Sequence, residues 1–382
     1  MSEYRHDFLT GRWVIIAEER ANRPNQFEYD IKIKGFSHFK ETDEKTFLLC
    51  PFCPGNETET PSETAAFREI DSEKNSQNWK TRVVPNRYPA VCEITNENLL
   101  NYENQKERIK NPSEIFSFAG FGKHEVIIET PRHLRSFSQF NDEEICNAFL
   151  MYRQRIQELR AENKWAYIII FKNVGVAAGA SLPHSHSQII AMPFVPPSVL
   201  TEFNNAVLYQ KTHRQCYWCS TIQKEISTHS KQKSCDASKS RVILETEQFL
   251  LFCPFASRFA METSILPKRH ISHFELLNDK TLKELAFLVR ESIIRLEKTD
   301  KWDKNEPSYN IILKSAPFSK EYFLNSATGK NQESEKNYHF SISILPALTK
   351  AAGFEWGTGI HINSVSPETA AAILRKFETL RH

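Results

Sequence analysis

Two histidines one residue apart, in Pro183-His184-Ser185-His186-Ser187-Gln188, have the residue types and spacing for covalent chemistry on a phosphate. A neutral imidazole nitrogen is a nucleophile that can carry a covalent intermediate. Histidine titrates near neutral pH, so much of it is unprotonated there. The small-residue run 175–181 precedes the pair, and Gly179 and Ser181 let backbone N–H groups approach phosphate oxygens. Gln188 adds an amide donor. The apolar run 189–194 predicts a strand, on which residues two apart share a face. His184, His186 and Gln188 are therefore expected in one polar row, with His186 as nucleophile and His184 as a metal ligand.

The second chemistry is thiolate chemistry. The chain has eight cysteines, four of them paired as Cys50-Pro51-Phe52-Cys53 and Cys216-Tyr217-Trp218-Cys219. Neither pair opens a βαβ unit, which argues against thioredoxin-like redox work. Zinc takes four ligands in a structural site, and thiolate with imidazole is a favoured mixture. Cys50, Cys53, His133 and His184 form one such set, and Cys216, Cys219, His270 and His339 a second in the same order. The gaps between ligands are far longer than in a DNA-reading zinc finger. Two zinc ions per chain are expected, closed by four protein ligands each and so shaping loops without activating water.

The elements that must position these groups follow a repeat. Asn141-Asp142-Glu143-Glu144 starts a helix with a capping Asn and acids in its first turn. Ile145, Phe149, Tyr152, Ile156 and Leu159 then recur at helical spacing. The second half matches this with Asn278-Asp279, eight residues after His270 as Asn141 is eight after His133. Leu282, Leu285, Val289, Ile293 and Leu296 form its apolar stripe. His133 to Trp165 and His270 to Trp302 both span 32 positions, and the strand 311–314 matches 169–172. Tyr338-His339-Phe340-Ser341 stands where Pro183-His184-Ser185-His186 stands in the first half. The repeat keeps one histidine and replaces the other with Ser341. That asymmetry assigns metal binding to His184 and the chemistry to His186.

The fold class read from this pattern is α+β, as two tandem units covering 1–200 and 201–382. Short strands are expected at 13–17, 82–90 and 126–128. A linker is expected at 99–113, loops at 223–240 and 316–336, a late strand at 357–363 and a C-terminal helix at 367–377. A net charge of +2 excludes the concentrated basic surface of a general nucleic-acid binder. No apolar run has membrane-spanning length, and residues 1–13 carry no apolar signal core, so a cytoplasmic protein without a membrane partner is expected.

With these residues in hand, the sequence resembles the galactose-1-phosphate uridylyltransferase branch of the histidine-triad superfamily. The resemblance covers nearly the whole chain. It rests on Thr10-Gly11-Arg12-Trp13, the Glu19-Arg20 to Arg23-Pro24 turn, Cys50 to Asn56, Val84-Pro85-Asn86-Arg87-Tyr88-Pro89-Ala90, Asn173 to Gln188, and Ala352-Gly353-Phe354-Glu355. It implies antiparallel sheets with flanking helices in each half, and a homodimer. It implies a ping-pong reaction in which His186 takes UMP from UDP-glucose and a hexose 1-phosphate collects it. Nucleotide sugar and sugar 1-phosphate are then the small-molecule partners. By the same resemblance Ser181 and Gln188 bind the transferred phosphoryl group, with Arg20 and Arg23 supplying positive charge. Asn86 and Asn173 look like nucleotide contacts, and Phe354 and Glu355 like sugar contacts. Two departures stand out. The best-known relatives read His-Pro-His-Gly-Gln, whereas this chain reads His184-Ser185-His186-Ser187-Gln188, which is similar to plant ADP-glucose phosphorylase. Phe354 replaces a common tyrosine. Adenylyl transfer from ADP-glucose to phosphate is the alternative reading, and a zinc-stabilised module without catalysis the remaining one.

Overall fold

The computed structural model describes residues 3–16, 50–93, 120–232, 239–302, 306–318 and 337–377. Arg20, Arg23, the 99–113 linker and residues 319–336 lie outside them.

Ten strands form one antiparallel sheet: β3 (Ala65–Arg68), β4 (Trp79–Pro85), β5 (Lys123–Ile128), β6 (Tyr167–Val174), β7 (His186–Met192), β8 (Val242–Glu245), β9 (Phe249–Phe252), β10 (Thr263–Pro267), β11 (Tyr309–Lys314) and β12 (Ser341–Pro346). Their order is β3-β4-β5-β7-β6-β11-β12-β10-β9-β8. The repeat explains that order. Strands β6 and β11 are equivalent in the two halves, and they pair antiparallel at the centre, Asn173 opposite Asn310. Reading outward from that seam, each half repeats the other. Among the described residues no helix is long and apolar enough to cross a membrane.

Helices α1 (Asp142–Ala161) and α4 (Asp279–Glu297) start as their caps require. The Asn141 side chain accepts from the Glu144 N–H and the Glu144 carboxylate accepts from the Asn141 N–H. Asn278 accepts from the Thr281 N–H. Their apolar stripes, from Ile145 to Leu159 and from Leu282 to Leu296, are buried in one core with Ile127, Ile170, Ile189, Ile311 and Ile344 of the sheet. Burying a side chain of this size is worth roughly 1.5–3 kcal/mol, so the two stripes are the main anchor of this face.

The further α-helices among the described residues are α2 (Pro197–His213), α3 (Tyr217–Gln232), α5 (Gly353–Thr358) and α6 (Pro367–Lys376). Helix α3 overturns the loop expected from residue 223. Its composition is polar, but Trp218, Ile222 and Ile226 fall on one face against Leu250 and Phe252, and that stripe suffices. The late strand is shorter than expected. Residues 353–358 are helical, with Glu355 accepting from the Ala352 N–H at 3.0 Å and Gly359 closing the turn at φ 70°. Only β13 (His361–Asn363) remains extended, pairing parallel with β2 (Trp13–Ile16), which pairs with β1 (Glu3–His6).

Candidate active site and metal centres

Strand β7 pairs with β5, His186 opposite Ile128 and Gln188 opposite Val126. His186 and Gln188 share the face away from α1, the face where Val126 and Ile128 meet Cys50, Phe52 and Cys53. His184 does not lie on the strand, which begins at His186. The expected three-residue row is therefore a two-residue row preceded by a bend. The bend has a cause: His184 Nε2 donates to the Thr130 carbonyl at 2.9 Å, which turns Nδ1 toward Cys50 and Cys53 at 3.6 and 3.5 Å.

His133 Nδ1 lies 3.2 Å from the Cys53 thiol. All four ligand atoms of this set fall within 4.8 Å of one another, and so do those of Cys216, Cys219, His270 and His339. Zn–S and Zn–N bonds of about 2.3 and 2.0 Å put tetrahedral ligand atoms at such separations, so the donor sets fit a metal. A hydrogen bond from Cys53 pulls the Cys50 thiol far below its ordinary range, and His133 and His184 add to it. Cys219 is pulled down in the same way by Cys216, then by His270 and His339. Each cluster thus favours a thiolate. The second uses His339 through Nε2, 3.3 Å from Cys219, and is more open than the first because His270 is exposed.

His186 is only 8 % exposed. Its Nδ1–H donates to the His184 carbonyl at 2.7 Å. That bond fixes the tautomer and leaves the Nε2 lone pair free to attack. Burial lowers its pKa to about 4, with the nearby Lys172 charge in the same direction. The ring is therefore neutral at neutral pH. The edge of Phe52, with centroids 5.2 Å apart, braces it.

Behind the strand lies a polar network that sequence reasoning missed. Ser185 and Ser187 point to the helix side. Lys172 donates to Glu129 at 2.6 Å, to Ser185 at 2.7 Å and to the His186 carbonyl at 3.2 Å. Glu129 also accepts from Ser185, Ser187 and Tyr152. Burial pushes Glu129 up, but the Lys172 ammonium and these hydroxyls outweigh it and keep it below the ordinary carboxylate range. Both serines of the His-Ser-His-Ser-Gln motif are thus structural partners of a buried carboxylate. A lysine ending the apolar run 167–171 and a glutamate ending 126–128 were the available signals.

The glycine-rich turn follows β6. Gly175 adopts φ 80°, and a Cβ there would sit 2.1 Å from the Ser308 hydroxyl, so only glycine fits. Gly179 adopts φ 83° and is exposed, as is Ser181. Asn310 of the second half ties the turn down, donating to the Ala178 carbonyl and to Asn173 Oδ1, both at 2.8 Å. Asn86 reaches the site: its Nδ2 donates to Gln188 Oε1 at 3.4 Å, and its Oδ1 accepts from the Tyr88 N–H at 2.9 Å. Gln188 Oε1 is also met by His124 Nε2 at 2.8 Å. Phe354 and Glu355 sit on α5 beside β13, with the neighbouring Trp356 80 % exposed. Among the described residues, no hydrogen bond joins them to β7.

Residues 1–196 match the family described as galactose-1-phosphate uridyl transferase, N-terminal domain. The ADP-glucose phosphorylase of Arabidopsis thaliana is 34% identical over 375 residues, covering 98% of this chain and 92% of that protein. The galactose-1-phosphate uridylyltransferase of Thermotoga maritima is 28% identical over 384 residues, covering 99% of both. The crystal structure of the Arabidopsis ADP-glucose phosphorylase with bound ADP-glucose superposes with a TM-score of 0.74 at 31% identity, covering 99% of each chain.

Proposed function

The chain belongs to the galactose-1-phosphate uridyl transferase family, a family of nucleotidyl-transferring enzymes, and from that premise we propose that it passes a nucleoside monophosphate from a nucleotide sugar to a phosphate-bearing acceptor through His186. The observation that carries the reading is the His186 ring, neutral, locked at Nδ1 and free at Nε2. In the first step the Nε2 lone pair attacks the α-phosphorus. The bond to the bridging oxygen breaks, and hexose 1-phosphate leaves with that electron pair. The ring becomes cationic as the P–N bond forms, and the His184 carbonyl at Nδ1–H stabilises the charge. In the second step an acceptor phosphate oxygen attacks the same phosphorus and Nε2 leaves. Splitting the transfer in two makes each step an exchange between similar phosphates.

In this reading the Gln188 amide and the Ser181 turn donate to the phosphoryl oxygens, and Arg20 and Arg23 offset its charge. Asn86 and Asn173 border the nucleotide, and Phe354 and Glu355 meet the sugar. Cys50, Cys53, His133 and His184 would hold one zinc ion, which would fix the Cys50 turn and the His184 bend, and Cys216, Cys219, His270 and His339 would hold a second. Both would be structural, and the transfer would be left to the side chains. A cytoplasmic homodimer is part of the same reading.

Uridylyl transfer from UDP-glucose to a hexose 1-phosphate such as galactose 1-phosphate is one form of this reaction. A second form, adenylyl transfer from ADP-glucose to phosphate, is favoured by the higher identity to ADP-glucose phosphorylase, 34% against 28%. The motif serines do not decide between them, since both face Glu129. Exchange of labelled glucose 1-phosphate into each nucleotide sugar, with no other acceptor present, tests the reading. Exchange into UDP-glucose or ADP-glucose identifies the nucleotide. Net transfer without such exchange would rule out the two-step route.

A further inference from the structure

We propose that His124 is a positioning residue for nucleotidyl transfer, which holds Gln188 with its amide N–H groups turned outward. His124 lies on β5 opposite Ile190, one step diagonal from Gln188 on the same face of the sheet. The inference rests on the proposed role of Gln188 as a donor to the phosphoryl group.

The hydrogen-bond chain leaves one arrangement. The Ala90 N–H donates to His124 Nδ1 at 3.0 Å, so Nδ1 carries no proton. The proton is then on Nε2, which donates to Gln188 Oε1 at 2.8 Å. Asn86 is oriented the same way: its Oδ1 takes the Tyr88 N–H, so its Nδ2 faces Gln188 Oε1. The two donors stand 3.1 Å apart and share one acceptor. Rotating the Gln188 amide by half a turn would bring its NH2 group against both donors. The carboxamide is therefore fixed, oxygen inward and nitrogen outward. The ultimate anchors are backbone N–H groups of the 86–90 turn, which is itself held by the Asn86 N–H donating to the His124 carbonyl at 2.9 Å. Burial lowers the His124 pKa below its ordinary value, which keeps the ring in this neutral form.

A glutamine side chain free to rotate presents its oxygen to an anionic phosphate as readily as its nitrogen. Locking it removes that repulsive state before substrate arrives. A histidine within a sheet is otherwise an ordinary buried polar residue, and only the hydrogen bonds of its two ring nitrogens give it this task.

Two substitutions separate the roles of the ring nitrogens. The amide of His124→Gln reaches about where Nε2 lies and keeps the donor to Gln188. His124→Asn reaches only to Nδ1, keeping the partner for Ala90 and losing Gln188. The readout is the single-turnover rate of nucleotidyl-enzyme formation with UDP-glucose and ADP-glucose, together with zinc content and melting temperature. The expected order is wild type, then His124→Gln within about tenfold, then His124→Asn slower by about a hundredfold, the scale of a misplaced catalytic contact. In a Gln188→Ala background His124→Asn should add little further loss. The reverse order, with Asn restoring the rate and Gln failing, would assign His124 to holding the 86–90 turn and overturn the proposal. So would full multiplication of the two losses in the double variant. A wild-type chain that binds these nucleotides and forms no adduct would overturn the transfer reading and this inference together.

Discussion

At the scale of single residues, the Lys172–Glu129 pair is the least visible part of the site and a strong structural constraint on it. Lys172 is 2 % exposed, Glu129 is fully buried, and the pair touches both serines beside His186. Removing one charge leaves the other buried without its partner, a change that costs about 3–5 kcal/mol. Lys172→Met is expected to lower the unfolding free energy from urea denaturation by about that amount and shift the midpoint down accordingly, and a Lys172→Met, Glu129→Gln double variant to recover part of it. Equal midpoints for wild type and Lys172→Met would remove the pair from the account. The sequence showed His186 because a second histidine and a glycine turn stand beside it. It did not show this pair because nothing in the local pattern tells which apolar-strand lysine faces which buried acid. The repeat did not help, since the equivalent Lys314 pairs instead with Glu202 of α2. His124 was hidden for the same reason: its partner Gln188 is adjacent only through strand register.

At the scale of elements, strands and helices with strong periodicity were legible, and segments set by a few contacts were not. The stripes of α1 and α4 and their asparagine caps could be read residue by residue, because 3.6-residue periodicity with a cap has few alternatives. The part of helix α3 from residue 223 onward reads as loop in the sequence because polar residues dominate its composition. The edge hairpin β3–β4 offers a test at this scale. Glu63 accepts from Arg82 at 2.9 Å and from Arg68, tying the hairpin to the segment that follows the Cys53 turn. Burial raises the Glu63 pKa, but Arg68 and Arg82 more than offset it, so its folded value lies below its ordinary one. The unfolded chain therefore binds the proton first. The stabilisation is complete above the unfolded carboxylate pKa of about 4.3 and is lost as pH falls through the lower folded value. Glu63→Gln should be less stable than wild type at pH 7 and lose less on moving to pH 3. Parallel stability curves for the two proteins would contradict this.

At the scale of the whole molecule, the duplication was the most informative feature of the sequence, and the strand order repays it. The two halves meet at β6 and β11 and run outward in matching order, with a Cys-Cys-His-His cluster in each and the proposed nucleophile His186 in one. The order of the ligands along the chain predicted both clusters, because each half places them in the same four slots. How the halves join was not legible, since strand pairing across the seam depends on contacts such as Asn173 with Asn310. Metal analysis should find about two zinc ions per chain. His339→Ala is expected to remove one of them and lower the melting temperature, because structural zinc binding is coupled to folding. It should leave adduct formation at His186 in place. Loss of adduct formation in a folded His339→Ala protein would give the second cluster a catalytic part that this account denies it.

The central claim is a covalent bond from His186 Nε2 to the transferred phosphorus. Intact-mass measurement after brief incubation with UDP-glucose or ADP-glucose, on wild type and on His186→Gly, tests it most directly. The expected result is a mass increase of one UMP or one AMP on the wild-type chain, and none on a His186→Gly chain that keeps its zinc and its melting temperature. An unmodified wild-type chain under conditions where the nucleotide sugar is bound, or the same adduct on His186→Gly, would contradict it.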